Sequence, residues 1–180
     1  MKHWEMVILS ISTTLLFLSC QSSERKELNS NTMDKFTWNI QLAGYDFQKY
    51  DEKGETSYDR FIKEFDNFPW IEQLEKRNAM TDGCSATLSV KDLKTGLDLW
   101  VSIAGDKDDY DFLIGYIHPK EVKTFFGLGK PKAIRWCEIF RARDVGDIKS
   151  SFKYFFNREH HLLENTISRL ERFDELESLN

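Results

Sequence analysis

Ala86-Thr87-Leu88-Ser89-Val90 and Leu97-Asp98-Leu99-Trp100-Val101-Ser102-Ile103 decide the fold. Each alternates apolar and polar residues with period two, the pattern of a strand with one buried face. Asp92-Leu93-Lys94-Thr95-Gly96 lies between them, and Gly96 can supply the positive φ of a hairpin turn. The stretch is therefore a β-hairpin, and a hairpin with one polar side belongs to an antiparallel sheet.

Working outward, Asp106 to Asp111 reads as a charged turn. Phe112-Leu113-Ile114-Gly115-Tyr116-Ile117 follows as a third strand of the meander, and Ala133 to Phe140 as a fourth. Between these, Lys120 to Lys130 suits one helical turn before Gly127 and Gly129. Upstream, Phe36 to Leu42 alternates as a strand, and Gln48 to Thr56 is polar and reads as a loop. Ser57 suits a helix N-cap ahead of Phe61, Ile62, Phe65 and Phe68 at helical spacing. Pro69 ends that run and can open a second short helix bearing Trp70, Ile71 and Leu74. Downstream, Asp144 or Asp147 can cap a helix with Ile148, Phe152, Phe155 and Phe156 on one side. Leu163, Ile167, Leu170, Phe173 and Leu176 carry the helical pattern onward, as one bent helix or a pair. The expected class is α+β: an antiparallel sheet of about four to five strands, packed by short N-terminal helices and by C-terminal helices. No βαβ series is present, which argues against a Rossmann-type site.

The first twenty residues follow different rules. Residues 7–19 form an apolar run of about 13 residues, within the range of a signal peptide and too short to span a bilayer ordinarily. The run ends in Phe17-Leu18-Ser19-Cys20. This segment resembles the lipobox of bacterial lipoproteins. Phe17 stands where Leu is usual, and Leu18 where a smaller residue is common. The resemblance implies cleavage before Cys20, lipidation of Cys20, and residence in the cell envelope. The absence of Asp after Cys20 points, by analogy with enterobacterial sorting, to the outer membrane facing the periplasm. The expected organisation is a signal peptide at 1–19, a polar tether at 20–33 and one globular domain at 34–180.

Of the chain's fourteen Phe, five Trp and six Tyr, all but Phe17 and Trp4 fall in that domain and give it ample material for a core. A net charge of −5 argues against nucleic acid as a partner. Beyond Cys20, Cys84 and Cys137 remain. An oxidising compartment permits a disulfide between them, and two buried thiols are the alternative.

Asp106, Asp108, Asp109 and Asp111 form the densest acidic cluster. Tyr110, Asp111 and Ile117 occupy positions where an EF-hand needs other residues, so no calcium loop is expected. A solvated hairpin tip or a docking patch for a basic partner remains. Glu159-His160-His161-Leu162-Leu163-Glu164 lacks the two-His spacing of a zinc protease helix. His118 has no nucleophile placed beside it by any motif. Gly127-Leu128-Gly129 lacks the third glycine and the strand–helix setting of a phosphate loop. The aromatic residues around Pro69, with Trp100 and Trp136, could line a groove or fill the core.

No metal, cofactor or catalytic residue is expected. The function these features favour is a lipid-anchored, non-enzymatic protein-binding module. In size, acidity, tether and α+β plan it resembles small immunity lipoproteins, which implies a basic, envelope-acting toxin as partner. The alternatives are an accessory lipoprotein of an envelope complex and, less favoured, a carboxylate-based hydrolase.

Overall fold

The computed structural model describes residues 35–123 and 131–178. The central hairpin forms as its alternation requires: β3 (Thr87–Asp92) pairs antiparallel with β4 (Asp98–Asp106), Leu88 opposite Val101 and Val90 opposite Leu99. Gly96 takes φ 71° in the connecting turn. Around this pair the sheet extends both ways. β1 (Phe36–Gln41) and β2 (Asp51–Thr56) lie on one side, and β5 (Asp109–Lys123), β6 (Pro131–Ala142) and β7 (Glu171–Glu177) on the other. The spatial order β2-β1-β3-β4-β5-β6-β7 makes one open antiparallel sheet of seven strands.

Helices α1 (Tyr58–Asn67) and α2 (Trp70–Asn78) connect β2 to β3, and α3 (Val145–Phe156) and α4 (His160–Ile167) connect β6 to β7. Ser57 caps α1, accepting from the Arg60 amide at 3.4 Å, and Asp144 caps α3, accepting from the Gly146 amide at 2.7 Å. Their apolar sides meet alternate strand residues of a single sheet face. Phe61, Phe65, Phe152, Phe155 and Leu163 pack with Trp38, Val90, Val101, Ile103, Ile114 and Phe140 in one core. Phe61 and Phe152 stand 4.5 Å apart between ring centroids at its centre.

The α+β class is as expected, but the sheet is wider. Both extra strands are edges without apolar alternation. β2 reads Asp-Glu-Lys-Gly-Glu-Thr, and its pairing with β1, not its composition, makes it a strand. β7 replaces the expected helix at Phe173 and Leu176. Its residues lie against β6 from Trp136 to Arg141, and both apolar side chains stay about half exposed. Charged edge strands of this kind resist pairing with other chains. Of the stretch from Lys120 to Lys130, where one helical turn was expected, residues 120–123 extend β5 beside β6 and residues 124–130 lie outside the described residues. The C-terminal helical run is two helices and not one, because Arg158 turns the chain between them at φ 57°.

A buried ion pair fixes that turn to the central hairpin. Asp92 has no exposed side-chain surface. Its carboxylate accepts from the Lys94 amide at 2.9 Å, the Thr95 hydroxyl at 2.9 Å, and Arg158 Nε and Nη2 at 2.8 and 2.9 Å. Burial alone would raise this carboxyl, but those hydrogen bonds and the Arg158 charge outweigh it and hold it below the usual aspartate value.

Candidate functional site: the open face of the sheet

All four helices contribute to the core on one face, so the opposite side chains of the strands face outward. The register aligns Asn39, Ser89, Trp100 and Gly115 in one row across β1, β3, β4 and β5, and Gln41, Thr87, Ser102 and Leu113 in the next. Trp100 lies flat across Gly115. A Cβ at that glycine would stand 1.9, 2.1 and 2.3 Å from Cε2, Cζ2 and Nε1 of the indole. No larger residue fits beneath the ring, so the sequence supplies both the platform and its seat.

The loop from residue 42 to 50 forms the wall. The Gln41 side-chain amide donates to the carbonyls of Asp46, Phe47 and Lys49 at 3.2, 3.3 and 3.1 Å, tying the loop to β1. Paired bonds between Gly44 N and Cys84 O, and between Cys84 N and Tyr45 O, both 3.0 Å, anchor its other side. Phe47 and Tyr50 are thereby held over the row while remaining 85% and 52% exposed. The groove enclosed by Trp100, Phe47, Tyr50, Leu113 and Ile117 has a volume of about 400 Å³. Its polar lining is neutral. Ser102 and Thr87 spend their hydroxyls on the Ala86 and Ser85 carbonyls, whereas the Asn39 amide and the Ser89 hydroxyl make no side-chain hydrogen bond among the described residues.

At Leu113 this groove adjoins a polar cleft of about 390 Å³ beneath the β4–β5 hairpin. The alternation places Asp106, Asp109 and Asp111 on the open face, with Asp108 at the tip. Asp111 is not available to a partner: Arg141 Nη1 and Arg143 Nε reach it at 3.2 and 3.1 Å. Asp106, Asp108 and Asp109 are exposed and form no ion pair among the described residues. Lys107 turns away to Glu75 of α2, at 3.4 Å. Three of the four predicted aspartates thus form an acidic rim beside an aromatic groove, and the fourth is internally neutralised.

The Cys84–Cys137 bridge is not made. Both thiols are free and buried. Cys84 lies beside the start of β3 and Cys137 on β6, with β4 and β5 between, so three strand spacings of about 4.8 Å separate them. Burial pushes the Cys137 thiol up to about 11, against a smaller opposing effect of Trp100. Of the other aromatic candidates, Trp70 is buried with Phe65 and Phe112 in the core, and Trp136 lies on the helix side. Trp136 donates to Glu175 at 3.2 Å, under the ammonium of Lys120. Among the described residues no three His, Cys, Asp or Glu side chains come together to hold a metal, and no helix is long and apolar enough to cross a membrane. Cys20 and the glycines at 127 and 129 lie outside the described residues.

The sequence reading did not single out Phe47 and Tyr50. They sit in a stretch without periodicity, and only the Gln41 amide and the Gly44–Cys84 pairing bring them over Trp100. Gly115 was a detectable signal, because glycine inside a strand often marks a close approach.

No protein-family model, curated protein or solved structure matches the chain.

Proposed function

We propose that this protein is lipid-anchored at Cys20 in the bacterial envelope and acts as a non-enzymatic protein-binding module, with the open sheet face as its binding surface. The observation that carries the reading is the juxtaposition of an uncharged aromatic groove with an acidic rim. Protein interfaces concentrate their energy in aromatic anchors surrounded by polar groups. Trp100, Phe47 and Tyr50 would form the anchor. Asp106, Asp108 and Asp109 would steer a basic partner toward it. The partner's chemistry follows: an apolar side chain for the groove, flanked by Lys or Arg for the rim. An immunity protein that covers a basic, envelope-acting toxin meets this description, and the tether at 20–33 would let the domain reach such a toxin at the membrane.

The experiment is binding of the purified protein to the product of the neighbouring upstream gene, followed by surface plasmon resonance at two salt concentrations. A Trp100→Ala variant is expected to weaken binding by about 2 kcal/mol or more, chiefly through faster dissociation. Asp106→Asn with Asp109→Asn is expected to slow association and flatten its salt dependence. Binding that survives both changes would place the interface elsewhere. Cys20→Ala is expected to abolish labelling by a palmitate analogue, and a wild-type chain that takes up no label would remove the anchor from the account.

A further inference from the structure

The floor of the open-face groove runs along one row of the sheet. Asn39 on β1 is opposite Ser89 on β3, and Ser89 is opposite Trp100 on β4. Neighbouring strands stand about 4.8 Å apart, so amide, hydroxyl and indole follow one another at about the width of a sugar ring. Trp100 is partly buried and lines the groove, seated over Gly115. Phe47 and Tyr50 add two exposed rings at the wall. No charged side chain lines the groove among the described residues. Its volume of about 400 Å³ falls within the range of small-molecule sites, about 300–1,000 Å³.

The polar groups divide by what they already do. Gln41, Thr87 and Ser102 donate to backbone carbonyls and so hold the site together. The Asn39 and Ser89 side chains are partly buried, line the same groove and make no hydrogen bond to any described residue. The strand backbones beneath are paired within the sheet, so recognition of a polar guest falls to these two side chains. Asn39 offers two N–H donors and a carbonyl acceptor, and Ser89 offers a donor and an acceptor. The groove thus sets a neutral hydrogen-bonding edge beside aromatic rings.

We propose that this groove binds one neutral hexopyranose unit with equatorial hydroxyls. In such a ring the hydroxyls project around the rim and the C–H groups are left on the two faces. One molecule therefore carries an apolar face for Trp100 and a donor–acceptor edge for Asn39 and Ser89. The slightly positive C–H groups meet the negative face of the indole. Each sugar hydroxyl both donates and accepts, which matches an amide. An anionic sugar is disfavoured, because the groove supplies no cation. The adjoining cleft commits Arg141 and Arg143 to Asp111 and leaves Asp106 and Asp109 unpaired among the described residues. The inference rests on the open face being a binding surface and adds a second class of ligand to the protein partner. A sugar ring and the partner's apolar side chain would occupy the same space and exclude each other.

The test is a saturation-transfer NMR titration of the full chain with methyl β-D-glucopyranoside, sorbitol, cyclohexanol and glucuronate, and with cellobiose. The methyl glucoside is expected to bind saturably. Sorbitol has the hydroxyls without the ring face, cyclohexanol has a ring without the array of hydroxyls, and glucuronate adds a charge. Each of these three is expected to bind at least about tenfold more weakly, the scale of one or two hydrogen bonds. Tighter binding of cellobiose would identify the source as a glycan chain, and equal binding a free monosaccharide; either upholds the sugar site. Trp100→Ala is expected to abolish saturable binding. Asn39→Ala removes a side chain that bonds to nothing in the fold, and it is expected to weaken the glucoside about tenfold. Circular dichroism checks the fold of both variants. The proposal is overturned if the glucoside fails to saturate, if any of the three controls binds equally well, or if either folded variant binds it unchanged. The two readings fail separately: no sugar binding beside Trp100-dependent protein binding overturns this inference alone, whereas sugar binding beside a protein partner indifferent to Trp100 overturns the protein reading alone.

Discussion

Replacing Asp92 by Asn tests how the two halves of the fold are joined. The substitution keeps the shape but removes the charge, and it sets an amide N–H₂ against the donors of Arg158, Thr95 and the Lys94 backbone. Breaking a buried ion pair by removing one partner costs about 3–5 kcal/mol. Arg158 keeps 26% of its side-chain surface in water, so it recovers part of its hydration. The expected loss is therefore near the low end, about 3 kcal/mol, a large share of a typical total of about 5–15 kcal/mol. Urea unfolding should show the midpoint falling with the slope unchanged. The pH dependence follows from the direction of the shift. The folded carboxyl lies below the usual aspartate value that the unfolded chain keeps, so between the two the unfolded chain binds more protons. Its stabilisation is thus complete above the unfolded value and is lost as pH falls through the folded one. Wild type should lose stability over that acid range more steeply than Asp92→Asn. A loss below about 1 kcal/mol, the scale of one ordinary hydrogen bond, would refute the reasoning, as would parallel acid limbs.

Gly115→Ala should force the Trp100 indole off the sheet and cost about 1–3 kcal/mol by overpacking, read as a lower thermal midpoint and a red-shifted tryptophan emission. Cys84 and Cys137 should resist a thiol reagent in the native protein and react together on unfolding, because both are buried and burial raises both thiols. Rapid native labelling of either would contradict their placement. Ser57→Ala should cost about 1 kcal/mol through loss of the α1 cap, measured by the same urea titration.

The sequence was most legible where local pattern and tertiary environment agree. Leu88, Val90, Leu99 and Val101 alternate because one side of their strands is covered by helices, so the hairpin could be read from periodicity alone. Ser57 was legible, and the α3 cap was narrowed to Asp144 or Asp147, because an N-cap is a local hydrogen bond. β2 and β7 were not. Each is an edge strand with charged residues on both faces, and its conformation comes from pairing with a neighbouring strand and not from its own residues. Leu170, Phe173 and Leu176 are spaced at three and so imitate a helix, but Leu176 pairs with Cys137 on β6. The candidate site divides in the same way. The acidic hairpin was visible as composition, whereas the neutralisation of Asp111 depends on Arg141 and Arg143, thirty or more positions away. The union of Phe47, Tyr50 and Trp100 depends on three strands meeting in register and on one glutamine side chain.

The central claim is that the uncovered sheet face is where this protein meets its partner. A photoreactive phenylalanine analogue at Tyr50, over the groove, or at Lys153, exposed on α3, reports on that directly when illuminated in intact cells. The account predicts one discrete protein adduct from position 50, lost when Trp100→Ala is added, and none from position 153. Equal adducts from both positions, or an adduct at position 50 indifferent to Trp100, would contradict it.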